Sequence, residues 1–203
     1  MGHWFLWMLR GRGNGRATGA GAALVALVEA WLAQGVAETE GSNAGPDVSW
    51  LIHDGGGSPD KRPPWCAYFA SSCCRQVERA GHAVRYAMTG RAVAHWQEAA
   101  PGDQILPINI WREDGPGLLM VRTRLSKDHT DADKARDGMA RQGHVAIVTS
   151  INAAERSIEL IAGNSSGAGH AKVPGSGAVA RERIVEGDQA WSRLVGFVRV
   201  CDS

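Results

Sequence analysis

Gly143-His144-Val145-Ala146-Ile147-Val148-Thr149-Ser150-Ile151 is the stretch that decides the fold. Val145, Ile147 and Thr149 alternate with Ala146, Val148 and Ser150, which is the period of a strand and not of a helix. Asn152-Ala153-Ala154-Glu155-Arg156 then reads as a turn, and Ser157 to Ala162 as the returning strand. Two strands joined by so short a link pair antiparallel. In a regular hairpin centred on Ala154, facing positions have numbers that sum to 308. His144 and Asn164 then lie side by side at the open end, roughly 4.5–5.5 Å apart at Cα, within reach of a side-chain hydrogen bond.

Working outward, Gln104 to Trp111, Ala180 to Val185 and Val195 to Cys201 also suit strands. Helices come before them. Ala20 to Glu38 carries Leu24, Leu27, Val28, Trp31 and Leu32 on one apolar stripe. A second helix starts near Pro46, a favoured first-turn residue, and runs to about Asp54. A third spans Ala67 to Ala80 and stops at Gly81. A short one lies within Arg91 to Ala100, closed by Pro101-Gly102. Helices first and an antiparallel meander second make an α+β fold.

Residues 112–142 are charged, mixed in sign and without periodicity, and read as a loop insertion at the rim of a site. Asp128, Asp131, Asp133 and Asp137 lack the central Gly and terminal Glu of an EF-hand loop, so no metal and no cofactor is expected. The 203 residues hold 22 Lys+Arg against 21 Asp+Glu, a net charge of +1. That balance argues against a nucleic-acid binder. Residues 1–19 read as a flexible tail and 20–203 as one domain, expected to be a monomer. The patch Trp4-Phe5-Leu6-Trp7-Met8-Leu9 is too short for a membrane span or a signal core. An interfacial anchor through Trp4 and Trp7 is the alternative.

The four cysteines are Cys66, Cys73, Cys74 and Cys201. No CxxC pair is present, which removes zinc-ribbon and thioredoxin readings. Cys73 and Cys74 are adjacent on one helix and read as small buried residues. Cys66 differs, because Pro63-Pro64-Trp65 delivers it to a helix start. Unpaired N–H groups and the positive end of the helix dipole there favour thiolate over thiol. A cysteine, then His144, then Asn164, each at the end of an element, suits covalent acyl transfer. Cys66 would attack a carbonyl, His144 would move the proton, and Asn164 would fix the ring. Each residue taken singly has a structural reading. A helix cysteine is usually core, a strand histidine usually satisfied structure, and Gly-Asn usually a turn.

Trp65-Cys66-Ala67-Tyr68-Phe69, Pro101-Gly102-Asp103, Gly143-His144-Val145-Ala146-Ile147-Val148, Gly163-Asn164 and Gly196-Phe197-Val198-Arg199 together resemble the CHAP family, the cysteine, histidine-dependent amidohydrolases and peptidases. The resemblance runs from about Ala20 to Val200. It implies a papain-like fold, N-terminal helices packed on a C-terminal meander, and cleavage of amide bonds in bacterial peptidoglycan. By resemblance, Cys66 matches the nucleophile, His144 the general base and Asn164 the orienting residue. Trp65 and His170 are the expected substrate contacts. The expected partner is a stem peptide or cross-bridge, and the expected place of action is the cell wall, after synthesis in the cytoplasm. Two features depart from the pattern. The stretch between Asp103 and Gly143 is long, and Ser58-Pro59-Asp60-Lys61-Arg62 offers no Gln as an oxyanion donor. An acyltransferase or protein-directed peptidase on the same residues, or an inactive binding module, are the alternatives.

Overall fold

A computed structural model describes residues 19–113, 115, 117–123, 136, 143–165 and 177–201. Helix α1 (Ala20–Gln34) buries Ala23, Leu24, Leu27, Val28 and Trp31, the face its sequence pattern marks out. It ends four residues before Glu38, the expected end, at Gly35, which takes a left-handed φ of 70° and bonds back to the Leu32 carbonyl. The chain beyond it turns extended and is tied to residues 177–179. Val179 N–H donates to Val36 O at 2.8 Å, and Glu38 N–H to Gly177 O at 2.9 Å. Helix α2 (Pro46–Asp54) opens on its proline, as expected. Helix α3 (Cys66–Arg79) starts at Cys66 itself and is buried over most of its length. Helix α4 is only Ala94–Gln97.

The strands are β1 (Gln104–Ile105), β2 (Leu118–Thr123), β3 (Gly143–Asn152), β4 (Ser157–Ser165), β5 (Ala178–Val185) and β6 (Leu194–Arg199). They form one sheet in the order β1-β6-β2-β3-β4-β5, with every neighbouring pair antiparallel. The fold is therefore α+β. One sheet face, with Val121, Val145, Ile147, Ile161 and Val195, packs on Leu24, Leu27 and Phe69 of the helices. The other, with Met120, Val148, Leu160 and Phe197, packs on Ile110 and the rings of Trp111 and Trp191.

Two expectations are corrected here. Residues 112–142 are not simply a connection, because Leu118–Thr123 within them is an interior strand. Leu118, Leu119, Met120 and Val121 are all buried, so the run shows no alternation to announce it. Gln104 to Trp111 is a strand only at Gln104–Ile105. Pro107, which has no N–H to give a ladder, opens a 3-10 turn over Pro107–Arg112. The aspartates from 128 to 137, His170 and the tail through residue 18 lie outside the described residues.

The hairpin register has the predicted sum at Ile147↔Ile161 and Val148↔Leu160. A bulge between Val148 and Ser150 shifts the remainder by one residue toward the turn. A second bulge, between Ala162 and Ser165, interrupts the β4–β5 ladder, and Asn164 lies within it at φ 53°.

Candidate active site

Cys66 is the first residue of α3 and is buried, with 3% of its surface exposed. The helix start is held by Trp65. Its indole N–H donates to Glu38 Oε1 at 3.0 Å, its ring meets Phe69 edge-on, and it is fully buried. Gly163 of β4 lies so close that a Cβ there would stand 2.6 Å from the Trp65 ring. Close approach without a side chain thus seats the start of α3 against the end of β4. The first helical bond runs from Phe69 N–H to Trp65 O at 2.8 Å. The N–H groups of Cys66, Ala67 and Tyr68 precede it and have no acceptor within the helix.

His144, near the start of β3, is 4% exposed. Its ring joins two partners. Nε2 lies 3.0 Å from Glu182 Oε1, and the ring is also hydrogen-bonded to Cys66. Set against a carboxylate, Nε2 carries a proton. Burial alone pushes the His144 pKa down. Hydrogen bonds to Cys66 and Glu182, with their charges, outweigh it and raise the pKa to about 9. Both partners therefore favour the protonated ring.

Glu182 on β5 is held by three donors. His144 Nε2 and Ser165 Oγ (2.8 Å) share Oε1, and Arg122 Nη2 donates to Oε2 at 2.9 Å. Burial pushes this carboxyl up, but the bond and charge of His144, then Arg122 and Ser165, hold it down at about 2. The sheet explains the assembly. Arg122 faces His144 across β2 and β3, Val148 faces Leu160, and Leu160 faces Glu182. Facing residues share a face, and the period of two places Arg122, His144 and Glu182 on the same one.

No family model, curated protein or solved structure matches this chain. The site therefore stands on its own geometry, which brings together Cys66 and His144 as the sequence reading expects. Asn164 is the departure. It lines the cavity beside His144, but the ring nitrogen meets Glu182 instead. The bulge turns Asn164 into the left-handed region, and its Oδ1 would stand 2.4 Å from a Cβ on Gly177. Trp65 is a second correction, since a fully buried indole supports the helix start and offers no surface to a substrate. Glu182 was legible in principle. In Ala180-Arg181-Glu182-Arg183-Ile184, the acid falls in phase with Ala180 and Ile184, both buried, while Arg181 and Arg183 are exposed. An acid on the buried face of a strand needs donors.

Cys73 and Cys74 are buried free thiols, and Cys201 is buried as well. Burial pushes the Cys73 and Cys74 thiols up, so both stay protonated and inert. Among the described residues, no group of three or more His, Cys, Asp and Glu could hold a metal ion. Among them, too, no helix is long and apolar enough to cross a membrane.

Proposed function

We propose that this chain is a cysteine amidohydrolase of papain-like fold that cleaves amide bonds of bacterial peptidoglycan. The observation that carries the reading is the chain of contacts Cys66–His144–Glu182, with the cysteine at a helix start. Nucleophile, base and orienting acid in hydrogen-bond sequence are what thiol acyl transfer requires. The peptidoglycan assignment comes from the resemblance of the residues around Cys66 and His144 to the CHAP family.

In the first half-reaction the Cys66 sulfur forms a bond to the amide carbon, and the carbonyl π pair moves to oxygen. N–H groups of the first turn of α3 receive that oxyanion. The C–N bond then breaks, and His144 gives its proton to the departing amine, leaving a thioester on Cys66. In the second half-reaction His144 takes a proton from water, the hydroxide oxygen bonds to the acyl carbon, and the C–S bond breaks. Glu182 holds the ring in place and offsets the imidazolium charge throughout. The place of action is the cell wall, reached after synthesis in the cytoplasm.

The test is release of soluble fragments from purified peptidoglycan by the wild type and by Cys66→Ala. The wild type should clear the suspension and produce new amino groups with no new reducing ends. Cys66→Ala should lose activity by at least about a thousandfold. No release by the wild type across several wall types would turn the assignment toward an acyltransferase, a protein-directed peptidase or an inactive binding module.

A further inference from the structure

A cavity of about 430 Å³ meets His144 and Glu182 and is lined by Arg122, Thr123, Ser165 and Arg193. Two side chains of its lining carry a buried polar atom without a hydrogen-bond partner. Thr123 is 3% exposed, and its buried Oγ1 has no hydrogen-bond partner. Arg193 is half-buried, its Nε is buried without a partner, and among the described residues no carboxylate pairs with it. A buried hydroxyl and a buried guanidinium nitrogen left unpaired are costly unless something arrives to meet them.

The two are neighbours by topology. Arg122 of β2 faces Leu194 of β6, so the next antiparallel step sets Thr123 beside Arg193. The charge of the lining is also unbalanced. Arg122 and Arg193 stand against Glu182, and the oxygens of Glu182 are already taken by Arg122, His144 and Ser165. Among the described residues, the charge of Arg193 and the hydroxyl of Thr123 remain without a partner.

We propose that this cavity is a carboxylate subsite, in which Arg193 and Thr123 bind a free carboxylate of the substrate at a position away from the scissile amide. The inference rests on the amidohydrolase reading and names the substrate class: peptides carrying a free carboxylate in preference to their amidated forms. A guanidinium and a hydroxyl match the two oxygens of a carboxylate. The further oxygens of a phosphate would be turned toward Glu182, which repels them.

Binding to the full-length Cys66→Ala protein tests this without requiring turnover. N-acetylalanine and N-acetylalaninamide are titrated while the His144 ring signals are followed by NMR. The acid should bind and move those signals, and the amide should bind at least about tenfold more weakly. Arg193→Met should erase the difference, Arg193→Lys should keep part of it, and the near-isosteric Thr123→Val should weaken the acid by roughly threefold. Thermal midpoints close to the parent's show that the variants are folded, and Thr123→Val carries the test if Arg193→Met is not. Equal binding of acid and amide, no binding of the acid, or tighter binding of inorganic phosphate overturns the proposal. Failure of peptidoglycan cleavage with acid-selective binding intact would instead remove the wall assignment and leave the subsite standing.

Discussion

His95 and His144 are both buried imidazoles, 2% and 4% exposed, and their chemistry runs in opposite directions. His95, on α4, has no well-formed hydrogen bond at either ring nitrogen. Burial drives its pKa down to about 4, opposed only in part by the Ala67 backbone. His144 is as deeply buried, yet its bonds to Cys66 and Glu182 lift it to about 9. Burial sets the cost of the charged form for both rings, and partners decide which form exists. Only the ring with a thiol on one side and a carboxylate on the other is equipped to move a proton.

The largest break in that comparison is deletion of each ring. His144→Gln should lower kcat/KM by about a thousandfold or more. His95→Leu should change it by less than about threefold and leave stability equal or slightly higher, because an unpaired buried polar group is removed. Parallel kinetics and thermal melts read both. A large loss of activity in His95→Leu at unchanged stability would undo the distinction.

Next in size is the effect of the orienting residue. Glu182→Gln should cost roughly ten- to a thousandfold in kcat, mostly without a change in KM, because it weakens support for the imidazolium. Asn164→Ala, at the position expected from the hairpin, should cost less than about threefold. Inverted magnitudes would restore Asn164 to the role of ring partner.

A third prediction separates carboxylates. Asp54 is buried and its carboxylate is held by two donors, Ser72 Oγ at 2.6 Å and Arg79 Nη1 at 2.6 Å. Its network joins the end of α2 to α3 and touches no titrating ring. Asp54→Ala should cost about 2–3 kcal/mol of stability, measured by denaturant melts, and leave the pKa of His144 in place.

A fourth prediction is read in the pH dependence of stability, where the two histidines have opposite signs. His144 binds its proton more tightly when folded. Its contribution is complete below pH 6.5 and is lost as pH rises through about 9. His95 binds its proton less tightly when folded, so its contribution is complete above pH 6.5 and declines as pH falls toward about 4. Glu182 adds a separate acid loss, from pH 4.5 down toward about 2. His144→Gln should flatten the alkaline limb of a plot of melting midpoint against pH, and His95→Leu the limb between pH 6.5 and about 4. Flattening of the same limb by both would contradict the assignment.

Much of this was legible in residue order. The helix expected from near Pro46 to about Asp54 is found at Pro46–Asp54, read from its proline and its apolar positions. The hairpin sum holds at Ile147↔Ile161, next to the site. What was hidden had physical causes. Strand β2 is buried on both faces, and so the alternation that reveals a half-buried strand is missing. Arg122, which holds Glu182, was hidden with it. A bulge leaves no periodic trace, yet the one at Gly163–Asn164 removes the expected ring partner and leaves the position to β5. Cys66 and His144 were readable because a helix start and a strand start are marked locally. Glu182 reaches them only through the pairing of strands distant in sequence.

The most direct test is the titration of His144, followed by its ring signals in the wild type, Glu182→Gln and Asn164→Ala. In the wild type the ring should titrate well above 6.5, near 9. It should fall by about one unit or more in Glu182→Gln and stay in place in Asn164→Ala. A wild-type pKa near 6.5, or one that Glu182→Gln leaves unmoved, would contradict a Cys66–His144–Glu182 site.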